Sequence, residues 1–225
     1  MSEILRVEGL KKGYMNVGNR IEVLKGVDLK VNERDILLIF GPSGSGKTTL
    51  LNLIGLLDSP DDGKIILFNE DILNKNEEEK AILRNRRIGF VFQFHYLFPE
   101  FTAIENIILP GLIKGEKRDV LIKKAEKLMD EFLLIERKDF YPHQLSGGEQ
   151  QRVAVLRAIF NDPDLILCDE PTGDLDEENR SRVIGMLKML NEKGKTVIIV
   201  SHNIIFSEIA NRIMYLKDGR LIEGG

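Results

Sequence analysis

Five short stretches of unbroken apolar residues punctuate the chain: "ILLIF" at 36–40, "IGFVF" at 88–92, "LILC" at 165–168, "VIIV" at 197–200 and "IMYL" at 213–216. Strands exposed on one face alternate apolar and polar residues, whereas strands buried on both faces of a parallel sheet read as continuous hydrophobic runs. The intervening segments carry helical spacing. Residues 47–57 form one such segment. Residues 120–133 form another, with Leu121, Ala125, Leu128, Met129 and Phe132 on one face. Residues 177–190 open on Glu177 and Glu178, favourable at the positive end of a helix. Alternating strand and helix predicts an α/β, doubly wound domain.

Two regions break that rhythm. The first 35 residues and residues 64–71 read as short strands and turns, "ILRVEGLKKGY", "IEVLKGVDLKV" and "KIILFNEDI", predicting a small antiparallel sheet beside the main one. Residues 94–155 contain none of the five runs and read as mostly helical, an inserted helical lobe within one domain spanning 1–225. At 225 residues with 43% hydrophobic and 30% charged composition, the chain has ordinary globular proportions and length for a sizeable core. The net charge of −4 gives no basis for nucleic-acid binding or unaided adhesion to a membrane. No apolar run approaches the roughly 18 residues of a spanning helix, and "MSEILRVEGLKKGY" lacks the apolar centre of a signal peptide. A single cysteine, Cys168, lies inside an apolar run and fits a core position in a reducing compartment.

Candidate chemistry gathers where the runs end, the edge at which open parallel sheets bind ligands. After Phe40 comes "GPSGSGKTT": Gly41, Pro42, Ser43, Gly44, Ser45, Gly46, Lys47, Thr48 and Thr49, matching G-x-x-x-x-G-K-[ST] between a strand and a helix. Such a loop wraps backbone N–H groups round phosphates, while its Lys reaches the terminal oxygens and its Thr ligates Mg²⁺. After Cys168 come Asp169, placed to hold Mg²⁺ through water, and Glu170, placed to polarise an attacking water. Gln93 follows the second run and is a candidate for Mg²⁺ coordination and water orientation; His202 follows "VIIVS" and is a candidate donor to a γ-phosphate. Tyr14 is a candidate for stacking on adenine or for core packing. His95 and His143 lack partners at metal-ligand spacing. "HQLSGGEQQR", at 143–152, sets Ser146, Gly147 and Gly148 before a helix, a combination suited to an anion.

Taken together and in order, the phosphate loop, Gln93, "LSGGEQQR", "LILCDE", "GDLD" at 173–176 and His202 resemble the ATP-binding subunit of ATP-binding cassette (ABC) transporters over essentially the whole chain. The resemblance implies a P-loop NTPase core, ATP and Mg²⁺ as ligands, and a head-to-tail dimer with two ATP molecules between the copies. It assigns Ser146, Gly147 and Gly148 to the partner copy's γ-phosphate, Tyr14 to adenine, Asp169, Thr48 and Gln93 to magnesium, Glu170 to the catalytic base and His202 to the switch histidine. Asp176 matches the aspartate of the loop crossing the dimer interface, in the variant form "TGDLD". Residues 84–113 resemble the lipoprotein-releasing branch, near macrolide-exporter and division-associated ATPases. That implies a subunit at the cytoplasmic face of the inner membrane, held by integral membrane partners that dock around residues 94–101, where "FHYLFPEF" suits a groove or the protein's own core. A soluble ATP-dependent clamp on DNA or ribosomes is the alternative from another class.

Overall fold

A computed structural model describes residues 2–223. Six strands form the main sheet in the order β10-β9-β3-β8-β7-β6. They are β3 (Ile36–Phe40), β6 (Ile88–Phe92), β7 (Leu165–Asp169), β8 (Thr196–Ser201), β9 (Arg212–Lys217) and β10 (Arg220–Glu223). All neighbours are parallel except the edge strand β10, which runs antiparallel to β9. The unbroken runs have the expected cause: successive side chains bury on opposite faces. On β3, Leu37 and Ile39 enter one core and Ile36 and Leu38 the other; β7 and β8 divide in the same way.

The first core lies under a four-stranded antiparallel sheet, order β2-β1-β4-β5, made of β1 (Glu3–Asn16), β2 (Asn19–Asn32), β4 (Asp62–Leu67) and β5 (Glu70–Asp71). The short strands expected in the first 35 residues are two continuous strands of 14 residues joined in a hairpin. Register shifts near Gly9 and Gly13 accommodate the glycines that suggested turns. Helix α1 (Lys47–Ile54) packs into this core, and α2 (Glu77–Arg87), with no buried residue, touches it only through the partly buried Leu83. That polar helix is closed by an Asn76–Glu79 capping box, three Glu in its first turn and three Arg in its last, which complements its dipole.

The second core takes α3 (Ala103–Ile113), α4 (Arg118–Glu131), α5 (Gly147–Ile159) and α6 (Glu177–Glu192). Side chains of α3 and α4 join those of α5, α6 and the sheet in one continuous apolar cluster, and α5 runs unbroken through residue 155. Two helices end earlier than their apolar spacing predicts. α1 stops at Ile54 because Leu56 adopts φ 61°, with Leu56 N donating to Leu53 O and Leu57 N to Asn52 O. α4 stops at Glu131 in the same way, with Leu133 at φ 55° and Leu134 N donating to Met129 O. Both are Schellman closures with leucine where glycine is usual.

Candidate active site

Register places the strand ends on one level: Phe40 opposite Ser201, Val200 opposite Asp169, and Asp169 opposite Phe92. The residues that follow, Gly41, His202, Glu170 and Gln93, therefore emerge along one edge of the sheet. The loop after Phe40 turns into α1 through Gly46, whose φ of 102° admits little but glycine. Lys47 is buried, and its Nζ donates to Gly41 O at 2.8 Å and Pro42 O at 2.9 Å, so the ammonium is curled beneath its own loop. Burial pushes the Lys47 pKa down, opposed by the charges of Glu170 and Asp169. Ser45 Oγ is buried without a hydrogen-bond partner among the described residues. A buried, unpartnered hydroxyl and a buried lysine amine on one glycine-rich loop fit a phosphate. The crevice bounded by Val23, Gly44, Gly46, Lys47, Thr48 and Thr49 encloses only about 170 Å³. Pockets for ligands of drug size usually exceed about 300 Å³, so this one has the size of a partial site.

Beside the loop, Thr48 Oγ1 donates to Asp169 Oδ1 at 3.2 Å. Burial raises the Asp169 carboxyl above its ordinary range; the Thr48 hydroxyl offsets this, and the charge of Glu170 adds to it. Glu170 adopts φ 47°, a left-handed conformation uncommon for a side-chain-bearing residue, which turns its carboxylate into the site. Its Oε1 accepts from the His202 backbone N–H and faces His202 Nδ1, both at 2.7 Å, and its Oε2 accepts from Ser201 Oγ at 2.7 Å. A proton on Nδ1 is the arrangement a carboxylate requires. A neutral His202 ring then offers Nε2 as an acceptor, and donation from Nε2 to a phosphate needs a second proton. Ser201 is fully buried and was not singled out in the sequence.

The serine and two glycines of "LSGGEQ" stand apart from this edge at the start of α5. Ser146 caps the helix in a capping box with Glu149, and Arg137 Nε donates to Glu149 at 2.8 Å. Ser146 and Gly147 are exposed, and a Cβ on Gly147 would meet nothing within 4 Å. Gly148 is buried: a Cβ there would lie 2.1 Å from Cγ and Oδ1 of Asn179. Asn179 in turn donates to Asp176, the cap of α6, at 2.8 Å. The two exposed residues are free to meet an incoming group. Gly148 also seats α5 against α6, a role that spacing could not reveal.

A family model described as "ABC transporter" matches residues 24–173. This chain belongs to that family. A lipoprotein-releasing system ATP-binding protein, LolD, of Aquifex aeolicus is 45% identical over 225 residues, covering 99% of this chain and 97% of that protein. The protein of the same name from Hyphomonas neptunium is 45% identical over 224 residues, covering 99% and 98%. Among solved structures, the ATP-binding cassette MJ0796, a dimer in a post-hydrolysis state bound to ADP and Pi, superposes with a TM-score of 0.90 at 38% identity, covering 97% of this chain and 98% of that one. The chain is thus an ATP-hydrolysing subunit of an ABC transporter, with the expected parallel-sheet core and smaller antiparallel sheet.

In this ABC ATPase the donor set fits Mg²⁺. Thr48 and Asp169 offer hard oxygens side by side, 3.2 Å apart. That is the sparse protein shell of a cation completed by phosphates and water. Gln93 Nε2 donates to Asp174 at 3.2 Å, and its side chain packs where a Cβ on Gly173 would fall, 2.8 Å from Gln93 Cγ. The "TGDLD" variant therefore makes room for Gln93 and gives it an acceptor. Tyr14 is 42% exposed, donates its hydroxyl to Asp58 at 2.8 Å and has Lys12 Nζ 5.1 Å from its ring centroid. It is not a core residue.

The segment after Gln93 is pinned through its backbone from inside. Gln151 donates to Phe92 O, Arg157 to His95 O and Tyr96 O, and the buried Asn106 to Phe98 O, Phe101 O and Thr102 O. With these carbonyls satisfied inward, the side chains turn out: Phe94 is 66% exposed, Tyr96 63% and Phe98 51%, while Leu97 packs on the core. Phe98 lines a groove of about 480 Å³ with Leu57, Phe90, Phe92, Pro110 and Ile113, and Arg84 and Arg157 stand in its wall.

Proposed function

We propose that this subunit hydrolyses ATP to drive release of lipoproteins from the inner membrane, working as a head-to-tail pair of copies docked on integral membrane partners. The observation that carries the reading is 45% identity along nearly the whole length of proteins named for that system. In the pair, the phosphates would displace the Gly41 and Pro42 carbonyls as partners of Lys47, and Ser45 would gain an acceptor. Mg²⁺ would sit on Thr48 and Asp169, with Gln93 at hand, and would neutralise charge on the phosphates. Glu170 would polarise the attacking water, with His202 beside it. Ser146 and Gly147 of the second copy would close the small crevice from above, their exposure and the positive end of α5 meeting the γ-phosphate. Tyr14 would stack on adenine through the ring face away from Lys12.

The exposed aromatics at 94–101 and the adjoining apolar groove suit a docked segment of the membrane partner. Because the same segment begins at Gln93, closure of the pair would move the dock, turning a local event at the γ-phosphate into a rigid-body push. No helix of the described residues is long and apolar enough to cross a membrane, so attachment through partners is the expected arrangement. The test is purification of a tagged Glu170→Gln chain from native membranes with ATP present, and reconstitution of the complex in proteoliposomes. Co-purifying integral membrane subunits and ATP-dependent release of an acylated protein support the reading. An ATP-trapped pair with no membrane partner, or a partner that releases no acylated cargo, contradicts it and favours the division-associated or exporter readings.

A further inference from the structure

We infer that Ser201 is a positioning residue for hydrolysis and that Oε2 of Glu170, the oxygen it holds, is the atom that takes the proton from water. The inference rests on the reading of Glu170 as base. The two carboxylate oxygens are not equivalent. Oε1 accepts twice, from the His202 backbone N–H and from Nδ1, which fills both of its lone pairs. Oε2 accepts once, from Ser201 Oγ, and keeps a lone pair without a partner among the described residues.

The hydroxyl cannot easily turn away. Asn203 N–H donates into Ser201 Oγ at 2.9 Å, so the hydroxyl proton must point elsewhere, and the carboxylate is the acceptor within reach. Ser201 is fully buried, away from bulk solvent, and its main chain is fixed by pairing with Phe40 in the central sheet. A rigid strand thus carries a buried donor to the one oxygen that retains basic capacity. In the step itself, water loses a proton to Oε2 and its oxygen bonds the γ-phosphorus. The bond from phosphorus to the β–γ bridging oxygen breaks, its electron pair leaving with ADP. Ser201 transfers nothing. Its bond fixes the direction of the free lone pair.

The experiment measures kcat and KM for Mg²⁺-ATP hydrolysis by the full chain for Ser201→Ala, Ser201→Thr and Glu170→Gln, with nucleotide affinity and a thermal melt. Lys47 at the start of α1, Asp169 at the end of β7 and His202 after β8 face Glu170, and all remain in these variants. For Ser201→Ala, kcat should fall roughly 10- to 100-fold, part of what a positioned base supplies. KM and affinity should stay within about twofold. Ser201→Thr, which keeps the hydroxyl, should recover turnover. Wild-type kcat in Ser201→Ala overturns the proposal, as does a loss that falls equally on KM and affinity or that Ser201→Thr does not recover. If Ser201→Ala does not fold, Ser201→Cys, nearly isosteric with a weak donor, gives the same two readouts. A Glu170→Gln chain with wild-type turnover overturns the base assignment itself, a distinct result.

Discussion

Substituting Gly148 by Ala tests the least expected contact in the molecule. A Cβ at this position would lie 2.1 Å from Cγ and Oδ1 of Asn179 and 2.7 Å from its Cβ. Rotating the Asn179 side chain relieves the first two contacts and leaves the third, so the first turn of α6 must shift. Overpacking of this kind costs about 1–3 kcal/mol. Replacing Gly by Ala in a helix recovers at most about 1 kcal/mol, and less in a first turn. The net loss is about 1–2 kcal/mol, or about 2–8 °C in melting temperature for a domain of this size. The assay is thermal and urea unfolding of the nucleotide-free protein, with Gly147→Ala as the control. Gly147 has nothing within 4 Å of its would-be Cβ, so its substitution should leave stability unchanged or slightly raised. Adding Asn179→Ala to Gly148→Ala removes the clashing Cγ and Oδ1 and should recover part of the loss, a positive coupling in the double-mutant cycle. A Gly148→Ala protein as stable as the wild type would refute the packing of α5 on α6 through this glycine.

Asp169→Asn should raise the melting temperature of the nucleotide-free protein at pH 7 while weakening Mg²⁺-dependent ATP binding. Burial raises the Asp169 pKa in the folded state, so its ionisation costs stability as pH rises through that value. The gain should shrink as pH falls into the range where Asp169 is protonated in both states, and a gain independent of pH would contradict the cause. Cys168 is fully buried, and burial pushes its thiol far above the usual range, so native protein should resist iodoacetamide at pH 8 and take up one equivalent in urea. Phe98→Glu should leave folding and nucleotide affinity of the isolated chain unchanged and weaken assembly with the membrane partner by about 2 kcal/mol, roughly 30-fold. A loss of folding instead would place Phe98 in the core.

The main sheet was open to reading because burial on both faces leaves a composition signal that needs no tertiary knowledge: β3 and β6 match their runs residue for residue. Helix ends were harder. Leu56 and Leu133 close α1 and α4 in left-handed conformations that leucine does not advertise, whereas Gly194, at φ 94°, marks the end of α6 in the usual way. At the site, the phosphate loop and "LILCDE" are local and could be read from the chain itself. Ser201, Asn179, Gln151 and Asp174 act through partners between 20 and 81 residues away or across two helices, and only the folded chain brings them together. The neighbouring histidine gave the one usable hint for Ser201. The outward turn of Phe94, Tyr96 and Phe98 depends on Gln151, Arg157 and Asn106 holding the backbone from within, which no apolar pattern records.

The central claim is that each ATP is held by two copies, Lys47 from one and Ser146 from the other. A mixture of Lys47→Ala and Ser146→Arg chains tests it most directly. Each homodimer carries a lesion in both of its sites, while the mixed dimer has one site with both elements intact and one with both lost. ATP hydrolysis measured across mixing ratios at constant total protein should be near zero for either variant alone and pass through a maximum at equal amounts. A flat line between the two single-variant values would show that Lys47 and Ser146 serve the same copy's nucleotide, and the composite site would be contradicted.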